Sequence, residues 1–77
     1  MKSVFDDFMK TLKINQGFYC FSYLLWRFRS YRTDISFIPL LNNERRDLLK
    51  YLKENYYFDV YKSGLIFKKK YYEFYIE

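Results

Sequence analysis

Residues 18–32 read FYCFSYLLWRFRSYR, and whether this stretch is helix or strand decides the fold. On a helix, Phe18, Phe21, Leu24, Leu25, Phe28 and Tyr31 gather on one face, while Ser22, Arg29 and Ser30 fall away from it. On a strand, Trp26 and Phe28 alternate with Arg27 and Arg29, and the aromatic content favours β. Fifteen residues without a turn signal would make a strand of about 50 Å, longer than a small domain accommodates. Helix over residues 18–32 is therefore the expectation.

The flanks give firmer signals. Before this stretch, Ser3 and Asp6 mark a helix start, and Phe5, Phe8, Met9 and Leu12 recur at helical spacing, so residues 4–14 are expected to be helical. Asn15-Gln16-Gly17 closes that segment with a turn. After it, Thr33 to Leu41 reads as irregular chain or a short strand, with Ile35 and Phe37 pointing one way and Pro39 ending it.

Asn42-Asn43 then offers an N-cap for ERRDLLKYLKEN. There Leu48, Leu49, Tyr51 and Leu52 form an apolar stripe, Glu44 and Asp47 suit the first turn, and Asn55 a left-handed cap. Helix is expected over residues 44–54.

The C-terminal third is rich in strand formers, and Ser63-Gly64 reads as a two-residue hairpin turn. That register would oppose Tyr61 to Ile66, Val60 to Phe67 and Asp59 to Lys68. The expected architecture is α+β: one compact domain over residues 1–77, with two to three helices followed by a C-terminal antiparallel hairpin. Helices followed by a hairpin resemble the element order of a winged helix.

Composition bounds how such a fold is held. A chain of 77 residues with one cysteine, Cys20, and no histidine has neither an intrachain disulfide nor an ordinary zinc site to staple it. Apolar packing must suffice, and the expected core is Phe5, Phe8, Leu12, Phe21, Leu25, Phe28, Leu48, Leu52, Val60 and Phe67. Ten Tyr and nine Phe exceed what so small an interior holds, so some rings are expected at the surface, where they suit a partner. A homodimer would be one way to cover them.

The net charge of +5 is concentrated: residues 27–53 hold seven bases against three acids, and the last 24 residues are balanced. A central basic stretch favours anionic partners, although charge of this size also serves solubility. Acids at Asp6-Asp7 stand where a signal peptide would turn apolar, and the longest mainly apolar run, Phe18 to Trp26, is far short of the roughly 20 residues of a membrane span. A cytoplasmic location and no membrane span are expected.

Catalysis is disfavoured. The absence of histidine removes the commonest general base and metal ligand, and Gly17 and Gly64 stand alone, so there is no phosphate loop. Cys20, inside an apolar run, reads as a small buried thiol, and Asp6-Asp7 point different ways on a helix. No cofactor, metal or catalytic residue is expected.

Two basic-aromatic clusters remain as candidate binding residues. In the first, Trp26, Arg27, Arg29 and Arg32 interleave rings and guanidinium groups, which suits phosphate gripping and base stacking. The competing reading puts Trp26 and Phe28 in the core. In the second, Arg45, Arg46, Lys50 and Lys53 line the polar side of the 44–54 helix, and Lys68, Lys69 and Lys70 follow in the hairpin. The competing reading is a solvated face in which Asp47 and Glu54 pair with those bases.

The expectation is a small regulatory protein that binds nucleic acid or a nucleoprotein complex. The alternative is an inhibitor or adaptor of the phage or mobile-element type, binding a host protein stoichiometrically. The Tyr, Trp and Arg content suits interface hot spots equally well.

Overall fold

The structure, a computed structural model, describes residues 2–34, 43–64 and 69–77. Its elements are α1 (Lys2–Thr11), β1 (Gly17–Cys20), α2 (Phe21–Asp34), α3 (Glu44–Asn55), β2 (Phe58–Ser63) and β3 (Lys69–Ile76). The fold is α+β: the three strands form one antiparallel sheet in the order β1-β3-β2, with the C-terminal hairpin β2–β3 at one side.

The stretch 18–32 divides. Phe18, Tyr19 and Cys20 are strand, paired with Tyr75, Phe74 and Glu73 of β3, and the helix begins only at Phe21 and runs on through Thr33 to Asp34. Helical periodicity holds from Phe21 onward because Phe21, Leu24, Leu25 and Phe28 are all buried. The three residues before it are claimed by the exposed edge of β3. Gly17, with φ +154°, begins β1 in a backbone conformation that side-chain-bearing residues rarely adopt. Thr33, expected in irregular chain, closes its hydroxyl onto the Arg29 carbonyl at 2.9 Å inside α2. Ile35, Phe37 and Pro39 lie outside the described residues.

α1 starts earlier than expected and ends three residues sooner. Asp6 therefore lies beyond the first turn, where it accepts a hydrogen bond from the Tyr51 hydroxyl of α3. Burial first, and that hydrogen bond second, push the Tyr51 phenol far above the usual tyrosine value. Asn43 stands at the N-cap of α3 but makes no side-chain capping bond. Nor is Asn55 left-handed: it is the last helical residue, its amide donates to the Tyr51 carbonyl at 2.8 Å, and Tyr56 leaves the helix in extended conformation.

The hairpin register differs from the expected one. Ser63 pairs with Lys69, Lys62 with Lys70, Tyr61 with Tyr71, Val60 with Tyr72, Asp59 with Glu73 and Phe58 with Phe74. Gly64, at φ 110°, does follow β2, but Ser63 pairs with Lys69, a register that a two-residue turn at Ser63-Gly64 does not allow. The register follows from burial on β3. Phe74 and Ile76 are buried, and β2 must pair so that Phe58 joins Phe74 on the covered face. Val60, farther along the same face, is 46% exposed and Leu12 is only half-buried, so neither belongs to the buried core; Phe67 lies outside the described residues.

The core is Phe5 and Phe8 of α1, Phe21, Leu24, Leu25 and Phe28 of α2, Leu48, Tyr51 and Leu52 of α3, and Phe74 and Ile76 of β3. Phe28 lies at its centre, with the Phe5 ring 5.3 Å away and the Phe8 ring edge-on at 5.2 Å.

Cys20 is exposed, not buried, because it ends a strand on the uncovered side of the sheet, 3.3 Å from the Ser22 hydroxyl. Two outcomes follow from this packing. Phe74→Ala should cost about 3–5 kcal/mol in urea unfolding, whereas Val60→Ala should stay within about 0.5 kcal/mol. The Cys20 thiol should react fully with a disulfide reagent in the native protein, without denaturant, as a buried thiol would not.

Candidate nucleic-acid interface

The first basic cluster is split by the helix that carries it. Trp26 is 62% exposed and faces a groove of about 430 Å³ between α1 and α2, lined by Phe8, Leu12 and Tyr31. Phe28, two residues on, is fully buried, so the core reading holds for Phe28 and fails for Trp26. Arg27 is held against its own helix: it donates to the Tyr23 hydroxyl at 3.3 Å and lies 5.9 Å from the centre of that ring.

Arg29 and Arg32 point elsewhere, toward the start of α3, where both meet Glu44. Arg29 Nε donates to Glu44 Oε1 at 2.8 Å, and Arg32 Nη1 forms an ion pair with Oε2 without hydrogen-bond alignment. The Glu44 side chain is only 10% exposed, so the α2–α3 contact holds a nearly buried carboxylate between two guanidinium groups. Glu44 thus ties the end of α2 to the first turn of α3, where its charge also suits the helix dipole. With Asn43, Arg45, Arg46 and Leu49, these residues line an open basin of about 650 Å³ in which guanidinium groups outnumber carboxylates.

The second cluster is arranged by the 3.6-residue period of α3. Leu48, Tyr51 and Leu52 point inward, which leaves Arg46, Lys50 and Lys53 on the outward side. Asp47 and Glu54 fall on the flank beside the Tyr51 side, away from the sheet, and Arg45 and Leu49 fall on the flank toward it. Arg45 lies 5.4 Å from the centre of the Phe21 ring, and Lys53 lies 5.1 Å from that of Tyr72 and 5.8 Å from that of Phe58.

The competing reading, that acids neutralise this face, meets little support. Among the described residues the sole ion pair within α3 is Arg46–Asp47, at 3.8 Å and well exposed, a geometry worth roughly 0–1 kcal/mol at most.

Lys53 joins the helix to the hairpin. Tyr72 and Val60 are cross-strand partners on the sheet face that carries Phe74, and one row further along that face come Lys70 and Lys62, both exposed. The bases thus run from Arg46 through Lys50 and Lys53 to Lys62 and Lys70. Like charges directly opposite each other destabilise a ladder, so the Lys62–Lys70 pair costs the isolated fold something.

Lys69 is exposed on the opposite face of the sheet, and Lys68 lies outside the described residues. Lys62 was not among the sequence candidates. Only the true register places it beside Lys70.

Comparison with protein-family models, with curated proteins and with solved structures gives no match. The Glu44 contact has a direct consequence. Glu44→Gln should lower stability by roughly 1–2 kcal/mol, measured by urea unfolding, as two guanidinium groups lose their shared charge partner.

Proposed function

We propose that this chain is a non-catalytic regulatory protein that binds duplex nucleic acid, or a nucleoprotein complex containing it, through α3 and the β2–β3 hairpin. The observation that carries this is the sorting of charge on α3. Asp47 and Glu54 lie on one flank, Glu44 turns in against α2, and Arg46, Lys50 and Lys53 lead by way of Tyr72 to Lys62 and Lys70.

The element order helix–strand–helix–helix–strand–strand, with β3 between β1 and β2, is that of a winged helix. In that arrangement one helix enters the major groove and the hairpin touches the backbone. Arg46 to Lys53 spans about 10 Å of helix, comparable to a major groove about 12 Å wide. The arginine basin at the start of α3 adds bidentate phosphate donors. Order of elements alone licenses no function, so the reading rests on the bases and not on the analogy. The lack of any histidine supports a binding role over a catalytic one.

One observation favours the second reading, a stoichiometric inhibitor or adaptor of a host protein. Trp26 is exposed beside a groove between α1 and α2 that holds none of the bases of the basic run.

The test is a titration of the protein into labelled duplex and single-stranded DNA and RNA at two salt concentrations. Duplex binding should be micromolar or tighter at low salt. With the five bases from Arg46 to Lys70 each neutralising one phosphate, affinity should fall about 10²–10³-fold between 50 and 200 mM salt. Arg46→Glu with Lys50→Glu should weaken it at least tenfold, while Trp26→Ala should leave it unchanged. Absence of duplex binding at low salt overturns the proposal for the protein alone.

A further inference from the structure

The uncovered face of the sheet carries a pattern that the basic run does not use. Alternation along the strands puts Phe18, Tyr75 and Tyr57 in one row across the face, Cys20, Glu73 and Asp59 in the next, and Tyr71 and Tyr61 in the third. The rings are ordered. Phe18 meets Tyr75 edge-on at 5.1 Å and Tyr57 at 6.2 Å, and Tyr61 stacks on Tyr71 at 5.6 Å.

Four of them are open to solvent, from 41% for Tyr71 to 66% for Tyr57, and Tyr75 between them is half-buried. Between the aromatic rows, two carboxylates oppose each other in the ladder, each accepting a hydrogen bond from a neighbouring phenol: Tyr57 to Asp59 at 3.2 Å and Tyr61 to Glu73 at 3.1 Å. These bonds raise both phenols above the ordinary tyrosine value, so at neutral pH they remain donors.

We propose that this face docks a basic segment of a partner protein, with an arginine seated on Asp59 and Glu73 between the two aromatic rows. Charge selects the occupant. In a chain of net charge +5, this face presents a carboxylate pair at its centre and, among the described residues of the three strands, one base, Lys69, a row beyond Tyr61 and Tyr71. A guanidinium matches the chemistry on both counts, since its N–H fork suits paired carboxylates and its plane stacks on rings. Nucleic acid is repelled by the carboxylates. A two-fold contact with a second copy would set acid row against acid row. The surface lies opposite the basic run, so the inference stands whether or not the nucleic-acid reading does.

The probe is a labelled peptide of alternating glycine and arginine, with its glycine–glutamate counterpart as control. It is followed by two-dimensional NMR of the full chain and by fluorescence anisotropy. The arginine peptide should bind, with amide shifts concentrated at residues 57–61 and 71–75, and the glutamate peptide should not. Asp59→Asn with Glu73→Gln, which keeps acceptors for both phenols and removes a like-charge pair, should weaken binding at least tenfold with the thermal midpoint no lower than that of the wild type. If that variant does not fold, the wild-type shift map alone decides.

Equal affinity in a folded variant, shifts mapping elsewhere, or no binding at millimolar peptide overturns the proposal. So does concentration-dependent self-association of the wild-type protein in sedimentation equilibrium that the double variant abolishes, because the occupant is then a second copy.

Discussion

Phe74 is the residue on which the two faces of this molecule depend. It is fully buried, lies in the middle strand two residues from its end, and has Tyr19 opposite it on one side and Phe58 on the other. Because side chains alternate along a strand, fixing Phe74 inward fixes every other residue of the sheet as inward or outward. Tyr72 and Ile76 follow it beneath the helices, and Lys70 follows at the open end. Tyr71, Glu73 and Tyr75 are turned to the other side. A slip of one residue would bury Glu73 and expose Phe74, so the apolar contact with Phe21 and Phe58 decides where the charges appear.

The helices were legible in the sequence where their periodicity was undisturbed. Leu48, Leu52 and the acids of the first turn mark α3 to within one residue, and the ring-rich face of α2 is evident from Phe21 onward. The short strand before α2 was not. Phe18-Tyr19-Cys20 has the same apolar character in either state, and what makes it a strand is an open edge on β3, more than fifty residues away. The hairpin register was lost for a related reason. Ser63-Gly64 carries a strong local turn signal, and the burial of Phe74 and Ile76, which overrides it, is a tertiary fact.

The candidate site inherited both outcomes. Arg46, Lys50 and Lys53 depended only on helical spacing, and they share a face as expected. Trp26, Arg27, Arg29 and Arg32, adjacent in sequence, are dispersed around α2, and two of them are drawn to Glu44 of another helix. Lys62 needed the register. Residues on one helix face can be grouped from sequence, whereas residues grouped across strands require knowing which strand pairs where.

The charge pattern argues for function more strongly than the charge total does. Solubility requires only a net charge, of either sign, and it is served by any scattered arrangement. Here Lys62 opposes Lys70 on one face of the sheet and Asp59 opposes Glu73 on the other, both pairs unfavourable in the isolated ladder. Exchanging Lys70 with Glu73 would place a charge of either sign on each face and set opposite charges across the ladder in both pairs. The fold instead carries two like-charge pairs, segregated by sign and backed by different surroundings: bases contiguous with a helix on one side, and ordered rings on the other. Stability of the free chain gives no reason for that segregation. The two proposed partners, of opposite charge and one on each face, would supply one.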